Sequence, residues 1–259
     1  MHLLVATPGG GDEEDGIVAL GQSPGDIVIL SAQDTDLALL AAAVDALPSH
    51  YPSVRLANLM QLKQPAATDL YMEEVVQHAR VIIVSLLGGT AYWHYQAEQL
   101  QALARRGELD LVLVPGDDQR DDNLLASGTV EGDLATALWR YLREGGLRNA
   151  GSMFDCLNQT FFADRIGEQP LEVEPPRPLP RTQLYHTTIA EPSLEDLQRE
   201  WVSGAPVAAL IFYRAHLQAM NTAAIDGLVD ALRSVGVNPM PIATASLKDA
   251  ACMQVVNQL

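Results

Sequence analysis

Arg214 and His216 stand two residues apart in Phe212-Tyr213-Arg214-Ala215-His216, directly after an apolar run at 206–213. If extended backbone continues through this segment, a period of two puts both side chains on one face and Tyr213 on the other. A guanidinium presents a fork of donors suited to carboxylate or phosphate. An imidazole beside it can bind a metal or exchange a proton near neutral pH. Asn221 or Thr222 is placed to cap the next helix, whose N-terminus attracts anions. Together these residues suit an acidic ligand. The plainer alternative is an arginine paired to a local acid beside a solvent-facing histidine.

A second cluster is Leu86-Leu87-Gly88-Gly89-Thr90-Ala91-Tyr92-Trp93-His94-Tyr95. It lies where a strand should end and a helix begin, the edge at which open α/β sheets bind ligands. Gly88 and Gly89 permit close backbone approach, and Trp93 is a ring that could stack on a flat ligand. The alternative is ordinary helix packing by Tyr92 and Trp93. Pro115-Gly116-Asp117-Asp118 falls on the same edge. Asp117 and Asp118 could accept a metal or a basic side chain, with His216 as a further weak metal candidate, or they could form a solvated turn. No catalytic residue is assigned. Both lysines, Lys63 and Lys248, follow leucine, so no Walker A loop is present. Gly9-Gly10-Gly11 fails the dinucleotide-binding spacing at Glu14. Gly21-Gln22-Ser23-Pro24-Gly25 has the letters of a nucleophile elbow in an inverted context, with a proline after the serine and a strand after that.

Apolar runs at 3–6, 26–31, 54–59, 81–87 and 109–114 alternate with helical patterns at 36–47, 68–80 and 90–106. Runs without internal polar alternation predict parallel strands covered on both faces. Helical character continues from 123 to 162, broken at Gly145-Gly146. Prolines at 170, 175, 176, 178 and 180 then predict an extended linker. Beyond it the pattern predicts strands at 183–187, 206–213 (buried) and 238–243. It also predicts helices at 193–201 (capped by Ser193 with Asp196), 222–235 and 248–259. The fold class is therefore α/β: a layered, parallel-sheet, flavodoxin- or Rossmann-like domain over 1–165. A proline-rich linker at 166–182 and the start of a second, incomplete α/β unit at 183–259 follow.

With 259 residues, 48% of them apolar, and a net charge of −17, the chain can build a sizeable core, and its acidity favours cations or basic protein faces. Two lysines in an acidic chain speak against a nucleic-acid partner and against anionic membrane surfaces. Cys156 and Cys252 form no disulfide framework, and the N-terminus has no signal-peptide pattern, so a cytoplasmic setting is expected.

In order along nearly all of the sequence, Met1-His2-Leu3-Leu4, Ser31-Ala32-Gln33-Asp34-Thr35, Val54-Arg55-Leu56-Ala57-Asn58-Leu59, Leu86-Leu87-Gly88-Gly89 with Tyr92-Trp93, and Leu113-Val114-Pro115-Gly116-Asp117-Asp118 resemble the large subunit of aerobic cobaltochelatase. So do Trp139-Arg140-Tyr141-Leu142-Arg143-Glu144-Gly145-Gly146, Phe212 to His216 with Asn221-Thr222, and Ser246-Leu247-Lys248-Asp249. That family is related to the large subunit of magnesium chelatase. The resemblance implies ATP-dependent insertion of Co2+ into the corrin precursor hydrogenobyrinic acid a,c-diamide, in cobalamin biosynthesis. The large subunit carries the tetrapyrrole and the metal site. AAA-type ATPase and accessory chelatase subunits hydrolyse ATP, in keeping with the missing P-loop here. Family members are several times longer, so this piece is expected to serve in substrate docking or subunit assembly and to insert no metal alone. Trp93, Asp117, Arg214 and His216 are the residues that could contribute. Three alternatives stay open: a magnesium-chelatase-type subunit, a non-catalytic, two-lobed module for an acidic small molecule, or a scaffold that meets a basic partner through its acidic loops.

Overall fold

The structure, a computed structural model, describes residues 19–130, 132–164 and 173–259. The strand expected at 3–6 and the glycines at 9–11 lie outside them. The chain divides into two compact units, Met1–Arg177 and Pro178–Leu259.

In the first unit β1 (Ile27–Ser31), β2 (Val54–Asn58), β3 (Val81–Leu86) and β4 (Asp110–Pro115) form a parallel sheet in the order β2-β1-β3-β4. The two central strands are buried throughout, as their unbroken apolar runs require. Period two then sends alternate residues to opposite layers. Val28, Leu30, Ile82 and Val84 meet Tyr71, Ala97 and Leu100 of α2 (Pro65–Glu74) and α3 (His94–Arg105). Ile27, Ile29, Val81 and Ile83 meet Leu40, Leu138, Met153 and Phe154 of α1 (Asp34–Asp45), α5 (Gly132–Glu144) and α6 (Gly146–Phe161). A short α4 (Asp122–Leu125) follows β4. Helices therefore cover both faces of the parallel sheet, the layered α/β arrangement expected from the sequence.

Several boundaries differ from the sequence pattern. The helix expected at 68–80 starts at Pro65, which fits the first helical turn, and yields to a 3-10 turn at Val76–His78. The helix expected from 90 is a 3-10 turn, Gly89–Tyr92, followed by α3. The proline segment adheres to the first unit over its first described residues. The Glu174 carbonyl accepts from Tyr141 Oη at 2.5 Å, and Asn149 holds Arg177 through both its amide oxygen and its amide nitrogen.

In the second unit β5 (Thr182–Leu184), β6 (Val207–Tyr213) and β7 (Asn238–Thr244) are ordered β5-β7-β6. β6 runs parallel to β7, while β5 is antiparallel, a departure from an all-parallel pattern. The helices are α7 (Leu194–Gln198), α8 (Ala215–Gln218), α9 (Ala223–Ser234) and α10 (Ala250–Gln258). Ser193 and Asp196 form the expected capping box on α7. The buried strand expected at 206–213 is not what forms: among the described residues β6 pairs on one side only, and its odd-numbered residues are exposed. Among the described residues no helix is long and apolar enough to cross a membrane.

Candidate functional site

The strand order reverses at β1 and β3, and the crevice beyond their carboxyl ends is where doubly wound folds bind ligands. Here that crevice is closed by the protein's own side chains. β3 carries Ser85 as its penultimate residue, and β1 ends on Ser31, with α1 beginning just beyond. Asp36 on its first turn accepts from Ser31 Oγ at 2.9 Å, from Ser85 Oγ at 3.4 Å and from Arg143 Nη2 at 2.7 Å. The Asp36 and Arg143 side chains are 8% and 11% exposed. Arg143, on the last turn of α5, also donates to the Gly116 carbonyl at 2.7 Å, which accepts from Gln33 Nε2 at 2.5 Å. Gly116 is required by packing: a Cβ there would come to 3.0 Å from the Leu87 nitrogen. This buried charge pair, with three donors converging on Asp36 Oδ2, ties β1, β3, β4, α1 and α5 together at this edge.

The expected ligand residues border this closed crevice. Gly88 and Gly89 adopt φ of 72° and 73°, the left-handed conformation that favours glycine, and turn the chain off β3. Trp93 is a correction to the stacking expectation. It is 5% exposed and lies in the core with Leu86 and Leu100, while Tyr92 is the ring left at the surface, 86% exposed. Burial of Trp93 follows from the 3-10 turn, which rotates it inward. Its Nε1 is buried and has no hydrogen-bond partner among the described residues. Asp117 and Asp118 are exposed. Asp117 Oδ1 accepts from the Gln119 backbone, and its carbonyl accepts from Trp139 Nε1 at 3.1 Å. This is a turn closed on itself.

In the second unit Arg214, His216, Asn221 and Thr222 share one turn at the carboxyl end of β6. The extended geometry expected there is not what forms. Arg214 has helical backbone angles and opens α8, because its carbonyl accepts from the Leu217 and Gln218 nitrogens. Arg214 Nη1 donates to the Leu179 carbonyl at 2.7 Å. His216 Nδ1 lies 3.1 Å from the Asn221 carbonyl oxygen. That oxygen can only accept, so in the neutral ring Nδ1 carries the proton and Nε2 keeps its lone pair. The Phe212 ring packs edge-on against the imidazole. Thr222 takes the cap position of α9, yet its hydroxyl donates to Asp226 at 3.1 Å instead of capping the backbone. An aspartate one turn in opposes an anion at this helix end.

Sequence reasoning missed three groups. Ser31, Asp36, Ser85 and Arg143 were signalled by a serine at or next to the end of each of two apolar strands. His186 is buried, with Nδ1 accepting from the Thr188 and Ile189 nitrogens and Nε2 beside Glu200, which also pairs with Arg233. Cys252 lies under β5 and β7. The Thr182 hydroxyl, then the Thr244 hydroxyl and the Ser246 backbone, draw its thiol below the usual range against the effect of burial. Among the described residues no three His, Cys, Asp or Glu side chains are placed to hold a metal ion. Asp117 and Asp118 belong to the first unit and His216 to the second.

Fold and site together define, in the first unit, a doubly wound α/β domain with a buried ion pair at the carboxyl edge of its central strands. Residues 139–259 match the family model described as CobN/Magnesium Chelatase. Over that stretch the chain belongs to the CobN/magnesium chelatase family. The chain is 51% identical to the aerobic cobaltochelatase subunit CobN of Pseudomonas aeruginosa across 98% of its own length, and 34% identical to the CobN subunit of a Sinorhizobium species across 96%. The catalytic subunit of cobaltochelatase from Mycobacterium tuberculosis is similar in structure, with a TM-score of 0.64 and 25% identity over 89% of this chain and 17% of that one. The chain spans about a fifth (20%) of the length of the curated relatives it matches.

Proposed function

We propose that this chain is part of the tetrapyrrole-binding subunit of an aerobic cobaltochelatase. The complete enzyme would insert Co2+ into hydrogenobyrinic acid a,c-diamide in the cytoplasm, with ATP hydrolysed on AAA-type partner subunits. The observation that carries this reading is the 51% identity to the Pseudomonas aeruginosa CobN subunit over nearly the whole chain. Cobalt and the corrin are both substrates here. The segment's own task in this reading is docking. At the switch point the buried Asp36–Arg143 pair holds the strand ends together, and the described acidic side chains do not converge on a metal.

Arg214 and His216 are the groups suited to the carboxylate side chains of such a corrin. Arg214 spends one guanidinium nitrogen on Leu179, leaving donors on the others. His216 presents Nε2, which becomes a donor to carboxylate on protonation. The test is a titration of the purified chain with hydrogenobyrinic acid a,c-diamide, following corrin absorbance, with Arg214→Ala and His216→Ala in parallel. Saturable binding weakened in both variants supports docking at this turn. Unaltered binding in both variants overturns these residue roles. Binding of protoporphyrin but not of the corrin would favour the magnesium-chelatase-type reading, which the shared family model allows.

A further inference from the structure

β6 reads Val-Ala-Ala-Leu-Ile-Phe-Tyr and, among the described residues, is an edge strand with no charge, proline or bulge to protect it. The Arg214 nitrogen donates to Thr244 and the Pro206 carbonyl accepts from Asn238. Even-numbered residues therefore turn their peptide groups toward β7, and Val207, Ala209, Ile211 and Tyr213 turn theirs to the open edge. The side chains of these same four residues are also uncovered. Val207 is 48% exposed, Ile211 40% and Tyr213 45%. On β7 the residue in register with Ile211 is Ile242, fully buried against Leu184 and Leu197, with Val256 and Leu259 of the α10 region packed over that cluster. The covering of this face thus reaches β7 and does not extend over β6. The opposite face of β6 is packed, with Phe212 against Ile225 of α9.

We infer that β6 is the seat of a further β-strand, supplied by the part of the subunit's polypeptide that lies outside the region shared with this chain. Three observations favour that occupant. The chain accounts for 20% of the length of its curated relatives, so four-fifths of their polypeptide is available. An edge this apolar, continuous with an apolar face, has the character of a permanently covered surface and not of a transient, polar-rimmed one. A second copy is opposed by the net charge of −17 on each chain. The inference rests on β6 and on the relatives' length, and stands whether or not the corrin docks at Arg214.

Amide hydrogen exchange on this chain and on the full-length Pseudomonas aeruginosa CobN subunit tests it. In this chain the amides of Val207, Ala209, Ile211 and Tyr213 should exchange rapidly while those of β7 are protected. In the full-length subunit the four corresponding amides should slow by on the order of 100-fold. Ile211→Lys should leave this chain folded, because the side chain is exposed, and the matching substitution should restore rapid exchange in the full-length subunit. Equal, rapid exchange in both proteins overturns the inference. So does protection that appears only after other subunits are added. Slow exchange in this chain together with a sedimenting dimer, both lost in Ile211→Lys, would make a second copy the occupant and also overturn it.

Discussion

Asp36 gives up its hydration and receives donors from Ser31, Ser85 and Arg143 in return. Removing one partner of such a pair strands the other charge, whereas replacing both with apolar groups does not. Asp36→Ala should therefore lower the unfolding free energy of the first unit by about 3–5 kcal/mol, and Asp36→Leu with Arg143→Met should recover most of that loss. Urea titrations of the three proteins decide it. A single variant as stable as the parent would mean that the pair contributes nothing. Trp93 presents the reverse case. Its indole N–H is buried without a partner among the described residues, an arrangement that costs about 1–3 kcal/mol. Trp93→Phe removes that donor along with some packing, so its stability should stay within about 1 kcal/mol of the parent, while Trp93→Ala should lose about 3–5 kcal/mol. Equal losses in the two variants would show that ring volume alone matters.

At the scale of elements, helices are held by anchors that titrate at opposite ends of the pH range. Burial raises Tyr71 on α2 and Tyr141 on α5, each pushed up to about 12. A phenol whose folded pKa is raised contributes stability that is whole below the unfolded value near 10 and is lost as pH climbs toward about 12. The first unit should therefore loosen across that interval, with phenolate absorbance rising together with loss of helical circular dichroism. Phenolate appearing well before any structural change would contradict it. In the second unit, the Ser193 hydroxyl and backbone hold Asp196 below the usual carboxylate range, and Arg181 with the first amides of α10 does the same for Asp249. These contributions are present above the unfolded pKa and are lost as pH falls through the depressed folded values. Asp249→Asn should flatten the acid limb of the α10 helical signal, and an unchanged limb would remove Asp249 from the cause. Caps of this kind were legible in the sequence, as were the strands, because Ser193, Asp196 and unbroken runs such as 81–86 report local physics. The closed crevice was not legible, since Asp36 and Arg143 are 107 residues apart and meet only through the β2-β1-β3-β4 order. The sequence left Trp93 open between stacking and packing, because exposure depends on whether a glycine pair leads into an α-turn or a 3-10 turn. β6 was misread because a run apolar throughout looks the same whether its second neighbour is present or not.

At the scale of the whole molecule the two units differ in how well each encloses a core. The first has two large buried clusters on opposite faces of one sheet, with fully buried Phe154, Phe162, Leu40 and Leu113 among them. The second has two small clusters, around Ile242 and around Phe212, and carries most of the exposed large apolar residues described in the chain. Stability rises with the fraction of surface a unit removes from water, so a small unit with an open sheet face should unfold first. Tryptophans are divided usefully: Trp93 and Trp139 lie in the first unit and Trp201 in the second, where its Nε1 donates to the Pro239 carbonyl at 3.2 Å. Urea titration followed by fluorescence should give two transitions, the earlier reported by Trp201 and the later by Trp93 and Trp139. Trp201→Phe should erase the fluorescence change of the earlier step while circular dichroism still registers it. One transition shared by all three tryptophans would mean that the second unit draws its stability from the first. A second unit that unfolds early would in turn fit a piece of structure whose sheet is completed from elsewhere along the polypeptide, since the missing free energy is that of covering Val207, Ile211 and Tyr213.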